Sequence, residues 1–102
     1  MSPGPVLLTG SMPFDVFDLN SSFEMLRPLD GAELEGRWVK VVEVPVVFGD
    51  CMTPLMEAAA ADPPALVISF GLADSPHIRL ERTAFNEVNA RIPDNSGAQP
   101  KD

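Results

Sequence analysis

The chain has 102 residues, 45% of them hydrophobic, which suits one compact domain with its own core. With 15 acidic against 7 basic side chains the net charge is -8, so the surface repels phosphate backbones and anionic lipid heads, and nucleic acid is not an expected partner. No apolar run approaches the roughly 20 residues that cross a bilayer, because Pro45, Asp50 and Asp74 interrupt the longest candidates, and no membrane partner is expected. A lone cysteine excludes an internal disulfide and the first basic residue is Arg27, so the reading is a reduced, cytoplasmic protein.

The first apolar burst, "PVLLTG" (Pro5 to Gly10), reads as a strand buried on both faces. A helix is expected to begin near Asn20 or Ser21, whose side chains can cap free amides, and to stop before Pro28 and Gly31. "WVKVVEVPVV" (Trp38 to Val47) reads as a second strand, with Trp38 as a packing residue. From Asp50 or Thr53 a second helix runs through "LMEAAAA" to the Pro63-Pro64 break, with Leu55, Met56 and Ala59 as its buried side. "ALVISFGLA" (Ala65 to Ala73) is a third strand, again a continuous apolar run ending in the neighbourhood of glycine. The order β-α-β-α-β predicts an α/β fold with a mostly parallel open sheet and flanking helices. Beyond it, "HIRLERTAF" alternates Ile78, Leu80, Arg82 and Ala84 with His77, Arg79, Glu81 and Thr83, which predicts an extended segment with Glu81 turned away from its apolar neighbours. The tail "IPDNSGAQPKD" is turn chemistry throughout.

In such a sheet ligands lie at the carboxyl ends of the strands, here "TGSMPF" and "GLADSP". "TGSMPF" carries one glycine where a dinucleotide loop needs three, so no nucleotide is expected, and no cofactor of another kind is implied. Cys51 stands near a helix start, where a thiol pKa can fall, but the plainer reading is a small, half-buried helix residue, since no histidine accompanies it. His77, the only histidine, has no second ligand at a recognised spacing and reads as a loop residue, so no metal site is expected. Glu81 between Arg79 and Arg82 leaves several roles open: a base, a metal ligand, half of a surface ion pair, or the group that orients a histidine.

Taken in order, several pieces resemble one family. "VLLTGSMPF" is similar to a Thr-Gly-Phe-x-Pro-Phe opening, "LNSS" to Asn-Pro-Ser, and "EVPVVFGD" to a second strand. "HIRLERTAFNEVNARIPDNSGAQPKD" is similar to Ile-x-x-Glu-Arg-x-Ala-x-Asn followed by Ala-Arg-Ile-Pro-Asp-Asn-x-Gly-x-Gln-Pro. These are marks of the N-terminal half of the pyroglutamyl peptidase I (pyrrolidone-carboxylate peptidase) family, cysteine peptidases that remove N-terminal pyroglutamate. The resemblance covers nearly the whole chain and implies a single, partial domain over residues 1–102, an incomplete half of a phosphorylase/hydrolase-like fold.

The resemblance implies that Glu81 is the acid of a Cys-His-Glu triad, fixing the imidazole tautomer while the histidine activates the thiol. It implies that Phe14 walls an apolar pocket for the lactam ring and that Asn20 and Arg91 lie near the active site, Arg91 beside the developing oxyanion. Ser11 stands where the family has a second pocket Phe, Leu72 where many members carry a lactam-binding Gln, and "GLADSP" is one residue shorter than the family's loop. The family's Cys and His follow the Gln-Pro motif, whereas Cys51 falls at the second helix start and His77 before Glu81. Peptides with N-terminal pyroglutamate are therefore the expected partner only when a C-terminal half completes the site. The isolated chain is expected to be inactive and, with an uncovered sheet edge, to self-associate. A noncatalytic homologue serving as a binding module is the alternative, and a new Cys51–His77 catalytic pair is the least supported reading.

Overall fold

The computed structural model describes residues 4–13, 20–72, 77–84 and 90–101. Among them are four strands, β1 (Val6–Ser11), β2 (Glu33–Leu34), β3 (Arg37–Val44) and β4 (Leu66–Ser69), and two helices, α1 (Ser21–Glu24) and α2 (Thr53–Ala61). The sheet order is β2-β3-β1-β4. β1 pairs in parallel with both neighbours, Leu8 lying opposite Val41 on one side and Ile68 on the other. The expected β-α-β-α-β order and parallel sheet are therefore present. The short antiparallel β2 was not foreseen; it is tied to β3 by a two-residue turn in which Glu35 and Gly36 both have positive φ, 51° and 78°. That geometry twists with the strands it joins, and the Gly at its second position needs no Cβ there.

β1 is where the apolar composition is rewarded, since all of Val6–Gly10 is buried. Residues facing each other across parallel strands share a face, so Val6 and Leu8 join Val39 and Val41 on one side. There they pack with Leu26, which is 2% exposed, while Ala32 and Phe70 close over the cluster. Gly10 permits this packing: a Cβ on it would lie 2.4 Å from the Cα of Phe23, so α1 can reach the strand only where no side chain intervenes.

The local signals set the element ends. Asn20 caps α1 as expected, but the helix ends at Glu24 and a 3-10 turn, Arg27–Leu29, takes over, because Pro28 has no N–H to bond the Glu24 carbonyl four residues back. α2 opens with Thr53-Pro54 and stops at Ala61, before prolines that have no N–H to continue the ladder. Leu55 and Ala59 are half-buried, but Met56 is 61% exposed: one residue on from Leu55 it is rotated by about 100° around the helix, off the shared face. Trp38, expected to pack, is 64% exposed, since it lies opposite Glu33 in the outermost hairpin.

β3 ends before Pro45 and β4 is shorter than its apolar run. The expectation of a strand buried on both faces fails for β4, whose four residues are all exposed. Residues 77–84 lie outside the helices and the sheet, with Ile78 95% and Leu80 91% exposed, so their alternation separates no covered face from an open one. Among the described residues no helix is long and apolar enough to cross a membrane.

Candidate functional site

The carboxyl ends of β1, β3 and β4 open into a cavity of about 330 Å³. Thr9 and Ser11 of β1, Val44 of β3 and Ser69 of β4 form its floor, and Thr9–Ser69 and Ser11–Val44 are register partners on one face of the sheet. Phe70 closes one side. The loop between β3 and α2, through Pro45, Val46, Val47 and Phe48, supplies most of the wall, and Cys51, Met52 and Leu55 complete it from the start of α2. Apart from the hydroxyls of the floor and the carboxylate of Asp94 at the rim, the lining is apolar, suited to a ring or hydrocarbon with few polar atoms.

A turn carrying Asp94 and Asn95 is hydrogen-bonded to the cavity wall. Among the described residues the Asp94 carboxylate accepts four hydrogen bonds: from the amide N–H of Phe48 at 2.7 Å, and from the Ser96 amide, the Ser96 hydroxyl and the Ala98 amide at 2.9, 2.8 and 2.8 Å. Above all the Phe48 amide, helped by the Ser96 hydroxyl and the amides of Ala98 and Ser96 and opposed by partial desolvation, lowers the Asp94 pKa to about 2. Next to it, the Asn95 amide donates to the Val46 carbonyl at 2.8 Å and the Asn95 side chain to the Pro13 carbonyl at 3.0 Å. "IPDNSG" announced a turn, but nothing in its pattern names partners 46 and 82 residues away.

Asn20 stands immediately before α1. It is 1% exposed; its Oδ1 accepts from the Ser22 amide at 3.0 Å and the Ser22 hydroxyl at 2.5 Å, and its Nδ2 donates to the Met12 carbonyl at 3.1 Å. The Ser22 hydroxyl oxygen in turn accepts from the Ser11 amide at 3.0 Å. This buried chain pins the end of β1 to the start of α1, satisfying each polar group it encloses.

The remaining candidates lie elsewhere. Glu81 is exposed, 3.8 Å from Arg79, a surface pair of small energetic consequence, and is not part of the cavity wall. Arg91 is exposed and its carbonyl accepts from the Gln99 side chain at 3.0 Å. Phe14 lies outside the described residues. His77 is exposed, and Cys51 lines the cavity with its own amide bonded to the Val47 carbonyl at 3.0 Å. Leu72 is half-buried but does not line the cavity, whereas Ser11 does. Among the described residues no group of three or more His, Cys, Asp or Glu side chains is placed to hold a metal ion.

Against known proteins, residues 5–102 match the profile of the pyroglutamyl peptidase family. The chain is 44% identical over 98 residues to the pyrrolidone-carboxylate peptidase of Klebsiella pneumoniae, covering 95% of itself and 46% of that relative. It is 40% identical over 98 residues to that of Bacillus subtilis, again 95% against 46%. The crystal structure of pyroglutamyl peptidase I from Bacillus amyloliquefaciens superposes with a TM-score of 0.91 at 38% identity, over 97% of this chain and 48% of that one. A variant pyrrolidone carboxyl peptidase from Pyrococcus furiosus gives 0.92 at 35%, over 96% and 48%. The chain thus spans about half the length of the relatives it matches.

Proposed function

The chain belongs to the pyroglutamyl peptidase family, and from that membership we propose that it supplies the N-terminal half of a thiol peptidase that removes N-terminal pyroglutamate from peptides. The observation that carries this reading is the family match through residues 5–102, which includes the Glu81-Arg82 motif and the Pro93-Asp94-Asn95 turn. In this reading Glu81 is the acid that orients a histidine, and Phe14, Asn20 and Arg91 serve the substrate site. Asn20 does so by tying Met12 at the end of β1 to the start of α1, since both ends of its amide are already engaged in the fold.

The 102 residues by themselves do not hydrolyse substrate. A triad carboxylate works by accepting the imidazole N–H away from competing water, and Glu81 stands in an exposed segment beside Arg79. Cys51 sits at the start of α2, remote in the family pattern from the nucleophile, and is no substitute. The uncovered β4 supports the same view, because a parallel sheet is stable when both faces are covered. Its completion comes from a C-terminal half like that of the relatives; without one, the bare edge favours association between copies. The lone cysteine suits a reducing compartment such as the cytoplasm, and the charge of -8 disfavours nucleic acid and anionic membranes as partners.

The test is hydrolysis of a chromogenic pyroglutamyl amide. The purified chain should release no chromophore. Combined with the C-terminal half of the Klebsiella pneumoniae relative it should gain turnover, and Glu81→Gln should lower that turnover by at least about a hundredfold, as expected of a triad member. Turnover by the chain alone that disappears in Cys51→Ala would overturn the reading.

A further inference from the structure

The turn that carries Asp94 and Asn95 makes more long-range hydrogen bonds than its surface position requires. Through Phe48 and Val46 it grips the loop between β3 and α2 at two points, and through Pro13 it holds the chain just after β1. The β3–α2 loop stands over the floor formed by Thr9 and Ser11, and Val46, Phe48 and Asp94 themselves line the cavity. The β3–α2 loop is not buried enough to be held by packing: Phe48 is 44% exposed and Val46 is only half-buried. A loop with few buried contacts opens locally at little cost unless polar contacts hold it. The bonds to Asp94 are of the stronger kind, because a carboxylate accepts them and three further donors fix its orientation.

We propose that Asp94 and Asn95 are positioning residues that clamp the β3–α2 loop to the chain at Pro13, just after β1, and so fix where that wall of the apolar cavity stands over the strand ends. The clamp acts through backbone groups of Val46, Phe48 and Pro13, so it sets the placement of the walls without contributing side-chain chemistry to whatever enters. Because the Cys51 amide hangs from the Val47 carbonyl, between the two gripped residues, movement of the loop also uncovers the thiol that lines the cavity. The clamp holds the cavity wall whether or not the chain completes a peptidase.

Cys51 is the single cysteine and therefore an unambiguous reporter. The rate at which 5,5′-dithiobis(2-nitrobenzoate) modifies it should rise at least about tenfold in Asp94→Ala, since losing a hydrogen bond to a charged group releases the loop by more than that factor in its opening equilibrium. Asp94→Asn, which keeps an acceptor but not the charge, should fall between the two. Asn95→Ala, which removes only the bond to Pro13, should give a smaller increase in the same direction. Amide hydrogen exchange should accelerate at Phe48 and Cys51 and stay unchanged at Leu7 and Leu8 in β1, which separates a loosened clamp from general unfolding. Wild-type Cys51 reactivity in both Asp94→Ala and Asn95→Ala would overturn the proposal. So would exchange that accelerates equally at β1 and the loop in Asn95→Ala, the milder variant. None of these readouts depends on pyroglutamyl hydrolysis, so their outcome is independent of the activity test.

Discussion

β3 and β4 both pair in parallel with β1, yet they lead opposite lives. The outer edge of β3 is closed: Gly31 and Ala32 exchange hydrogen bonds with Val39, Asp30 accepts from the Val41 amide at 2.9 Å, and the β2 hairpin covers its beginning. β4 has a sheet neighbour on one side only among the described residues, and Leu66, Val67 and Ile68 are 50%, 42% and 37% exposed. β4 is nevertheless the more apolar of the two. Its composition is suited to an interior position that this chain does not by itself provide, whereas β3, carrying Arg37, Lys40 and Glu43, has its edge managed within the chain. Apolar content therefore marks where a strand is meant to lie, and neighbours decide whether it is covered there.

The comparison is tested most severely by equal truncations on its two sides. Leu26→Ala, in the cluster that covers Val39, should cost about 2–5 kcal/mol, because the methyl groups leave a close-packed site. Leu66→Ala, at the exposed start of β4, should cost less than about 1 kcal/mol, since half of that side chain is already in water. Urea unfolding midpoints at a single protein concentration measure both, and similar losses would show that β4 is covered in solution.

Smaller effects should distinguish the two edges. Asp30→Ala removes the acceptor that occupies the Val41 amide on the outer side of β3 and should cost roughly 1 kcal/mol in the same unfolding assay. Val67→Lys should cost no more than about 1 kcal/mol, within the range of strand substitutions, but should remove association by placing a charge on the bare strand. Light scattering across a concentration series reads the second effect: the parent chain should gain mass with concentration and the variant should not. A concentration-independent monomer for the parent would instead favour an autonomous binding module.

The smallest expected change is local and confined to acid. Asp94 has its pKa lowered from 3.8 to about 2, first by the Phe48 amide, so the folded state binds its proton less readily than the unfolded one. Its contribution to stability is fully present above the ordinary carboxylate pKa and is lost as pH falls from near 4 through about 2. The Phe48 amide proton resonance should titrate with that low midpoint, while Leu7 and Leu8 amides remain unmoved. A midpoint near the ordinary value would mean that the bond to Phe48 is not formed in solution.

The strands and their sequence order were legible because short apolar runs, punctuated by glycine and proline and separated by helical patterns, suit the parallel pairing that β1, β3 and β4 adopt, although only β1 takes the buried place. The cap at Asn20 was legible for a local reason: its partner Ser22 is two residues away. The β2 hairpin was less so, since two residues give no period to read, although Glu35-Gly36 is a turn signal. Of the site, the sequence pointed to the loop after β1 and to Ser11 but missed the β3–α2 loop and Asp94, which meet only through contacts between distant segments.

The sequence by itself determined the α/β class, the parallel pairing, the helix stops ahead of Pro28 and Pro63, and membership of a family through ordered motifs. All of these depend on backbone preferences and on side-chain periodicity over a few residues. Only the tertiary structure decided that Val39 is buried while Leu66 is bare, that Trp38 lies outside, and that Asp94 reaches the Phe48 amide. Burial and long-range hydrogen bonds depend on which segments lie side by side, and that is a property of the assembled sheet rather than of any stretch within it.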